Sequence, residues 1–347
     1  MRGRNRDEAA IVYFSERGKK LAKKIHSAII EECRVSDIRC QSGDLYKLTE
    51  ELWREFKYLI FISSTGIAVR AISSQVSSKI EDPAVIVVDE MGKHTISLLS
   101  GHYGGANYLT SIIADDLKSD PVITTATDLH EIFAFDSFAR SNRLSMVNHN
   151  IIKNIARHMI DKKENERLGD IRVHTPYKID GDVPSYVSLC DEPEVCDVLI
   201  DSKSHHRDDA LCLIPHNMIV GLGCRKDTSY EDIEEAFNIF MKSNDIFSQS
   251  VCCIASIDLK KEERGILEFC KNHEIPFYTY DGLSLSGVES PSDSDFVRKT
   301  TGVGCVCEAS ALYHSSKFKN SRLTVRKTVI NHITFALCEI DVDLHWN

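Results

Sequence analysis

The stretch Met218-Ile219-Val220-Gly221-Leu222-Gly223-Cys224-Arg225 decides the fold. Its apolar opening has the length of a strand and runs into a glycine turn. Beyond it stands Ser229, whose short hydroxyl side chain suits a helix N-cap. Ile233, Ala236, Phe237 and Phe240 then recur at the spacing of one helical face. Strand, turn and helix in that order are the repeating unit of an α/β protein. Downstream, residues 251–257 and 277–280 read as strands and 262–270 and 305–314 as helices. Residues 323–328 and 333–340 read as a closing pair of strands. The same alternation occurs upstream. Residues 11–14 and 58–63 read as strands. Residues 15–30 read as a helix, with Leu21, Ile25 and Ile29 on one face and Lys20, Lys23 and Lys24 on the other. Residues 84–89 and 95–99 flank a hairpin turn at Met91-Gly92-Lys93. A helix over 104–117 and a strand over 121–125 follow.

Residues 146–216 break the pattern. The run 161–170 is highly charged, Pro176, Pro184 and Pro193 punctuate the rest, and the strands it suggests (171–174, 186–189, 198–201 and 211–215) are short. The expected architecture is therefore N- and C-terminal α/β sandwich domains, over 1–145 and 217–347, joined by a small, divergent middle domain over 146–216.

Bulk properties narrow the function. The 347 residues are 42% hydrophobic and 27% charged, an ordinary globular balance. No apolar run approaches the roughly 20 residues needed to cross a bilayer. Arg2, Arg4 and Arg6 precede no apolar segment, which reads as a solvated tail and a cytoplasmic protein. A net charge of −10 argues against nucleic acid as the main partner. The 12 cysteines include Cys252-Cys253 and Cys305-Val306-Cys307 but no C-x-x-C pair, so they read as buried small residues or free thiols of a reducing compartment.

Chemistry concentrates in four glycine turns at strand–helix junctions, where unpaired N–H groups and the helix dipole favour carboxylates and phosphates. They are Ser64-Thr65-Gly66, the run from Ser100 to Asn107, Gly221 to Arg225, and Thr301-Gly302-Val303-Gly304. None matches a P-loop or a dinucleotide fingerprint. Several such turns on one chain point to a large, multiply anionic ligand. The candidate binding residues are Thr65, Gly66, Arg70 and Lys79 around the first turn, and Gly104, Gly105, Asn107 and Thr125 around the second. Gly223, Arg225, Ser256 and Lys260 surround the third, and Thr301 and Gly302 the last. His102, in a glycine turn before a helix, is the candidate acid–base group, with the N–H groups of Gly104 and Gly105 beside it as oxyanion donors; Glu308 is the second choice. Cys224 stands at a helix start with no base paired to it. His205-His206, beside Asp201, Asp208 and Asp209, reads as a solvated loop in preference to a metal site.

These residues carry a family resemblance. Thr65-Gly66-Ile67-Ala68-Val69-Arg70, Asp82-Pro83-Ala84-Val85, Ile96-Ser97-Leu98-Leu99-Ser100-Gly101-His102, Gly104-Gly105-Ala106-Asn107 and Thr124-Thr125-Ala126-Thr127-Asp128 resemble the N-terminal domain of the cobalt-precorrin 5A hydrolases (CbiG type). Gly221 to Arg225, Ala255-Ser256-Ile257-Asp258-Leu259-Lys260, Thr301-Gly302-Val303-Gly304 and Cys307-Glu308-Ala309 resemble the C-terminal domain. The C-terminal half alone also resembles a small stand-alone protein of the aerobic cobalamin pathway, and the N-terminal strings decide between the two.

The resemblance implies an enzyme of anaerobic cobalamin (vitamin B12) biosynthesis. Its substrate would be a cobalt-containing corrin precursor carrying a δ-lactone, which it would open by hydrolysis with release of acetaldehyde. Arg70, Lys79, Arg225 and Lys260 would meet the macrocycle's carboxylates, and a cleft between the terminal domains would suit so wide a ligand. Cobalt belongs to the substrate, so no cofactor and no protein-held metal is expected, and neither is a membrane partner. A homodimer and transient contact with neighbouring methyltransferases are left open. Two alternatives stand beside this reading. A non-catalytic tetrapyrrole carrier would release no acetaldehyde. A nucleotide- or phosphate-binding enzyme would bind ATP or NAD.

Overall fold

The computed structural model describes residues 5–41, 43–78, 81–102, 104–125, 132–292 and 303–346. Lys79, Thr301 and Gly302 lie outside them. The chain divides into two compact units, Met1–Arg140 and Ser141–Asn347.

The first unit is built on strands β1 (Asn5–Tyr13), β2 (Arg34–Arg39), β3 (Phe56–Ile62), β4 (Ala84–Val88), β5 (His94–Leu99) and β6 (Asp120–Val122), in the order β2-β1-β3-β4-β5-β6. Pairing is parallel except between β4 and β5, which form the expected hairpin. Side chains alternate across a strand, and the alternation here feeds two cores. Ile11, Ile60 and Ile86 face helices α1 (Glu16–Ile29) and α4 (Ala106–Leu117) through Ile25, Ile29, Leu109 and Ile113. Val12, Phe61 and Val87 face α2 (Leu45–Glu55) and α3 (Thr65–Ile72) through Leu52, Trp53, Ala68 and Ile72. Being buried on both faces explains why β3 and β4 read as continuous apolar runs. Ser15 caps α1 by accepting from the Gly18 N–H at 3.0 Å. The turn expected at Ser64-Thr65-Gly66 is shorter than the sequence reading allows, because α3 begins at Thr65 itself. Helix α5 (Phe135–Ser141) ends the unit.

The second unit holds two five-stranded sheets. Strands β7 (Ser145–Val147), β8 (Ile171–His174), β10 (Val187–Leu189), β11 (Val198–Ile200) and β12 (Leu211–Ile214) form one, in the order β10-β8-β11-β12-β7, with only β7 antiparallel to its neighbour. Helix α6 (Ile152–Glu164) leads into it, and the charged run 161–170 is the end of that helix and the turn after it. A small pair, β9 (Ile179–Asp180) with β18 (Leu344–His345), ties the chain's end to this region.

The other sheet orders β13 (Met218–Gly223), β14 (Val251–Ile257), β15 (Phe277–Tyr280), β16 (Arg322–Ile330) and β17 (Ile333–Glu339) as β15-β14-β13-β17-β16. Helices α7 (Tyr230–Ser243) and α8 (Arg264–Asn272) cover one face through Ile233, Phe237, Phe240, Ile266 and Phe269. Helix α9 (Gly282–Ser286) is short, and α10 (Val306–Ser315) covers the opposite face through Ala311. Ser229 caps α7, accepting from the Asp232 N–H at 3.1 Å. The two-residue turn between β16 and β17 places Asn331 (φ 47°) and His332 (φ 66°) in the left-handed region, the geometry whose twist matches paired strands.

Gly221-Leu222-Gly223 is not a turn but the end of β13. A Cβ at Gly221 would overlap the Cys307 carbonyl oxygen of α10. The glycine is there because the helix backbone lies directly on the strand. Gly221→Ala should therefore lift α10 and destabilise the second unit by about 3 kcal/mol. The two tryptophans, Trp53 and Trp346, fall one in each unit. Trp346 fluorescence in a Trp53→Phe background can thus follow urea unfolding of the second unit, and an unmoved midpoint would contradict this packing.

Candidate active site

In the first unit the site residues gather where β5 runs into α4. The loop closes on itself: Gly105 N–H donates to His102 O (2.9 Å), Ala106 N–H to Ser100 O (3.2 Å) and Asn107 N–H to Gly101 O (2.9 Å). The Gly105 N–H is thereby engaged and is no open oxyanion donor, contrary to the sequence reading. Gly105 takes φ 89°, which strains any side chain, and a Cβ at Gly104 would come within 2.6 Å of the Ser100 carbonyl oxygen. Both glycines shape the turn that presents His102. The imidazole is half-buried, with Nδ1 3.2 Å from the Ser137 hydroxyl. Asn107 is buried; its Oδ1 accepts from the Ser97 hydroxyl (2.6 Å) and its Nδ2 donates to Thr125 Oγ1 (3.1 Å). The candidate binding residues Asn107 and Thr125 meet as a brace between β5, α4 and the following loop. Asp82 is similar, holding Ser77 and Ser78 through their backbone N–H groups.

Helix α3 lies on the surface of the same unit. Thr65 is half-buried and Gly66 exposed, and exposed Arg70 donates to Gly66 O at 3.2 Å. Ile67 and Val69 are exposed beside it, giving apolar surface next to a cation.

The second unit contains a cleft of 1220 Å³. Helices α7, α8 and α10 all begin at its wall, at Ser229, Arg264 and Val306. Gly265 permits this, because a Cβ there would overlap the Thr228 carbonyl oxygen. Converging helix starts present N–H groups and positive dipole ends to one space, a setting for anions. Gly223, Arg225 and Lys260, three of the candidate binding residues, line the cleft. Lys226, Arg264, Lys327 and His332 add basic groups, and Asp227, Glu231, Glu262, Glu263 and Glu268 add carboxylates. Lys260 Nζ donates to Glu263 Oε2 at 2.9 Å, and the Asp227 N–H donates to Glu263 Oε1 at 2.8 Å. The pair is nearly buried, its side chains 14% and 8% exposed. Cys224 also lines the cleft, but burial pushes its thiol up despite the opposing pull of Lys260, which disfavours a nucleophile.

Two predicted residues have other work. Ser256 is fully buried and donates to Leu222 O at 2.6 Å, joining β14 to β13. Glu308 is fully buried. Its Oε2 accepts from the Ser292 N–H, and its Oε1 from the Ser292 hydroxyl and the Lys327 N–H, each at 2.8 Å. A carboxylate so held anchors the loop at 292 and strand β16 to α10. Asp258 opens a single 3-10 turn, Asp258–Lys260, directly after β14. Glu263, Lys327 and His332 escaped the sequence reading. Glu263 sits in a charged run indistinguishable from a solvated helix start. Lys327 and His332 reach the cleft only through the β16–β17 hairpin.

The chain is similar to known proteins along most of its length. Residues 47–128 match the model of the Cobalamin synthesis G N-terminal family and residues 218–338 that of Cobalamin synthesis G C-terminus. A cobalt-precorrin-5A hydrolase of Salmonella typhimurium is 31% identical over 88% of this chain and 91% of its own. One from Priestia megaterium is 27% identical over 85% and 84%. A solved structure of a cobalamin biosynthesis protein G homologue from Sulfolobus solfataricus covers 97% of this chain and 98% of its own at 21% identity, with a TM-score of 0.39.

The Lys260–Glu263 pair allows scaffold and recognition to be separated. Lys260→Met alone leaves a nearly buried carboxylate without its cation and should cost about 3 kcal/mol of stability. Lys260→Met with Glu263→Leu should restore stability yet leave the cleft short of a cation. An anionic ligand should then bind more weakly by roughly 1.5–3 kcal/mol, as calorimetry would read it. Unchanged ligand affinity in the double variant would make the pair purely structural.

Proposed function

The chain belongs to the cobalt-precorrin-5A hydrolase family of cobalamin biosynthesis, and from that premise we propose that it opens the δ-lactone of its cobalt-corrin substrate with water and releases acetaldehyde. The observation that carries this reading is the cleft of 1220 Å³ on which three helices begin. It exceeds the roughly 300–1,000 Å³ of ordinary small-molecule pockets, and its wall sets three helix starts and Arg225, Lys260, Arg264 and Lys327 among five carboxylates, of which Glu263 is paired with Lys260. A wide macrocycle edged with carboxylates fits those groups. In the first unit, α3 offers Arg70 beside exposed Ile67 and Val69, a cation next to apolar surface.

His102 is the proposed acid–base group. It takes a proton from water as the oxygen bonds to the lactone carbonyl carbon, and returns one to the ring oxygen as the C–O bond breaks. The Ser137 hydroxyl orients the ring. Because the Gly105, Ala106 and Asn107 N–H groups already serve the turn, oxyanion stabilisation is assigned to donors outside it. Cobalt enters with the substrate, and no cofactor is assigned to the reaction. The same reading includes a cytoplasmic location, and leaves room for a homodimer and for transient contact with neighbouring methyltransferases. None of the helices among the described residues is long and apolar enough to cross a membrane.

Anaerobic incubation with cobalt-precorrin 5A should release acetaldehyde. A carrier would bind the substrate and release none. His102→Ala should slow release by at least about 10²-fold with binding kept. A wild-type rate in that variant would remove His102 from the mechanism. Dialysis against a chelator should leave turnover intact, whereas strict dependence on added zinc or a nicotinamide nucleotide would contradict the assignment.

A further inference from the structure

His174, Asp201 and His205 meet in the second unit, one ligand atom from each lying within 4.8 Å of the others. From this juxtaposition we infer that the three form a binding site for a divalent transition ion of borderline softness, such as Zn²⁺, Co²⁺ or Ni²⁺. His174 ends β8, and Asp201 and His205 come from the loop after β11. Sequence alone places only Asp201 and His205 together and reads the loop as solvated.

Each ligand is held from behind. The Nδ1 of His174 lies 3.1 Å from the Cys190 carbonyl oxygen. A carbonyl can only accept, so Nδ1 carries the proton and Nε2 keeps its lone pair, the arrangement common in metal-bound histidine. Asp201 is buried at 5% exposure; its Oδ1 accepts from the Lys203 N–H at 3.1 Å, and its Oδ2 faces His205 Nε2 at 2.7 Å. His205 and His206 both take left-handed backbone, with φ of 46° and 53°, a conformation that costs energy in residues other than glycine. Asp245 holds them there, accepting from the His205 N–H at 3.1 Å and from the Ser204 hydroxyl. The strained loop thus presents His205 inward, while the side chain of His206 is 82% exposed.

Ligand atoms around a tetrahedral ion with bonds of about 2.1 Å stand roughly 3.4 Å apart. The observed separations bracket that spacing, from 2.7 Å between His205 Nε2 and Asp201 Oδ2 to no more than 4.8 Å across the cluster. Two imidazoles and one carboxylate suit zinc-like ions better than magnesium or calcium, and leave a fourth position for water. The ion would clamp β8 to the loop after β11 and takes no part in the hydrolysis.

The test uses the full-length, chelator-treated protein titrated with Co²⁺, followed by absorption and by thermal unfolding. The expected result is one equivalent bound with a nitrogen–oxygen spectrum and a raised Tm. His174→Gln and His205→Gln should each weaken binding by at least roughly 10–100-fold and abolish the Tm rise. His206→Ala, the exposed neighbour, should bind as wild type. Circular dichroism establishes that each variant is folded. Absence of binding in the wild type overturns the site. So does undiminished binding in either glutamine variant, equal loss in His206→Ala, or a spectrum dominated by thiolate charge transfer, which would place the ion on cysteines.

Discussion

The second unit depends on a contact with no room in it. The backbone of α10 at Cys307 rests on Gly221 of β13, so close that one methyl group would not fit. That contact fixes the height of the helix above the sheet, and with it the position of the helix start at the cleft. Glu308 then ties the next residue to the loop at 292 and to β16 through three hydrogen bonds. The same economy of space recurs at Gly265, where α8 starts against α7. The cleft is thus a by-product of how tightly three helices share one sheet.

The first unit solves a related problem with hydrogen bonds. The turn that carries His102 is closed by its own N–H groups, so the imidazole stands on a rigid support. Asn107 extends the support sideways to Ser97 and Thr125. The two units differ in what they frame: one a single titratable side chain, the other a broad recess lined by charges of both signs.

Much of this was legible in the sequence where burial imposes a pattern. Residues 251–257 and 277–280 read as strands with the bounds they have, and the Ile233–Phe240 face of α7 is buried as its spacing requires. Strand β2 was not legible, since an edge strand with most side chains in water carries no alternation. Glycines misled in a specific way. Absence of a side chain serves a tight turn, an anion site and a close helix contact alike, and only the neighbour across space tells them apart. For Gly221 that neighbour is 86 positions along the chain, at Cys307. The anchoring role of Glu308 was hidden for the same reason, because its donors Ser292 and Lys327 belong to other elements.

The ladders of the first and third sheets end on arginine-bearing strands. At β2, Arg34 and Arg39 are exposed; at β16, Arg322 and Arg326 are. An open strand edge offers unpaired backbone groups to any passing chain, and charged side chains held in water there must be desolvated before a copy can dock. Arg34, Arg39 and Arg322 each stand in an ion pair, with Glu8, Glu16 and Glu339, so the guard is hydration and not net charge. Concentrated salt, whose screening length is about 3 Å at 1 M, loosens those pairs without removing the hydrated groups that keep the edges apart.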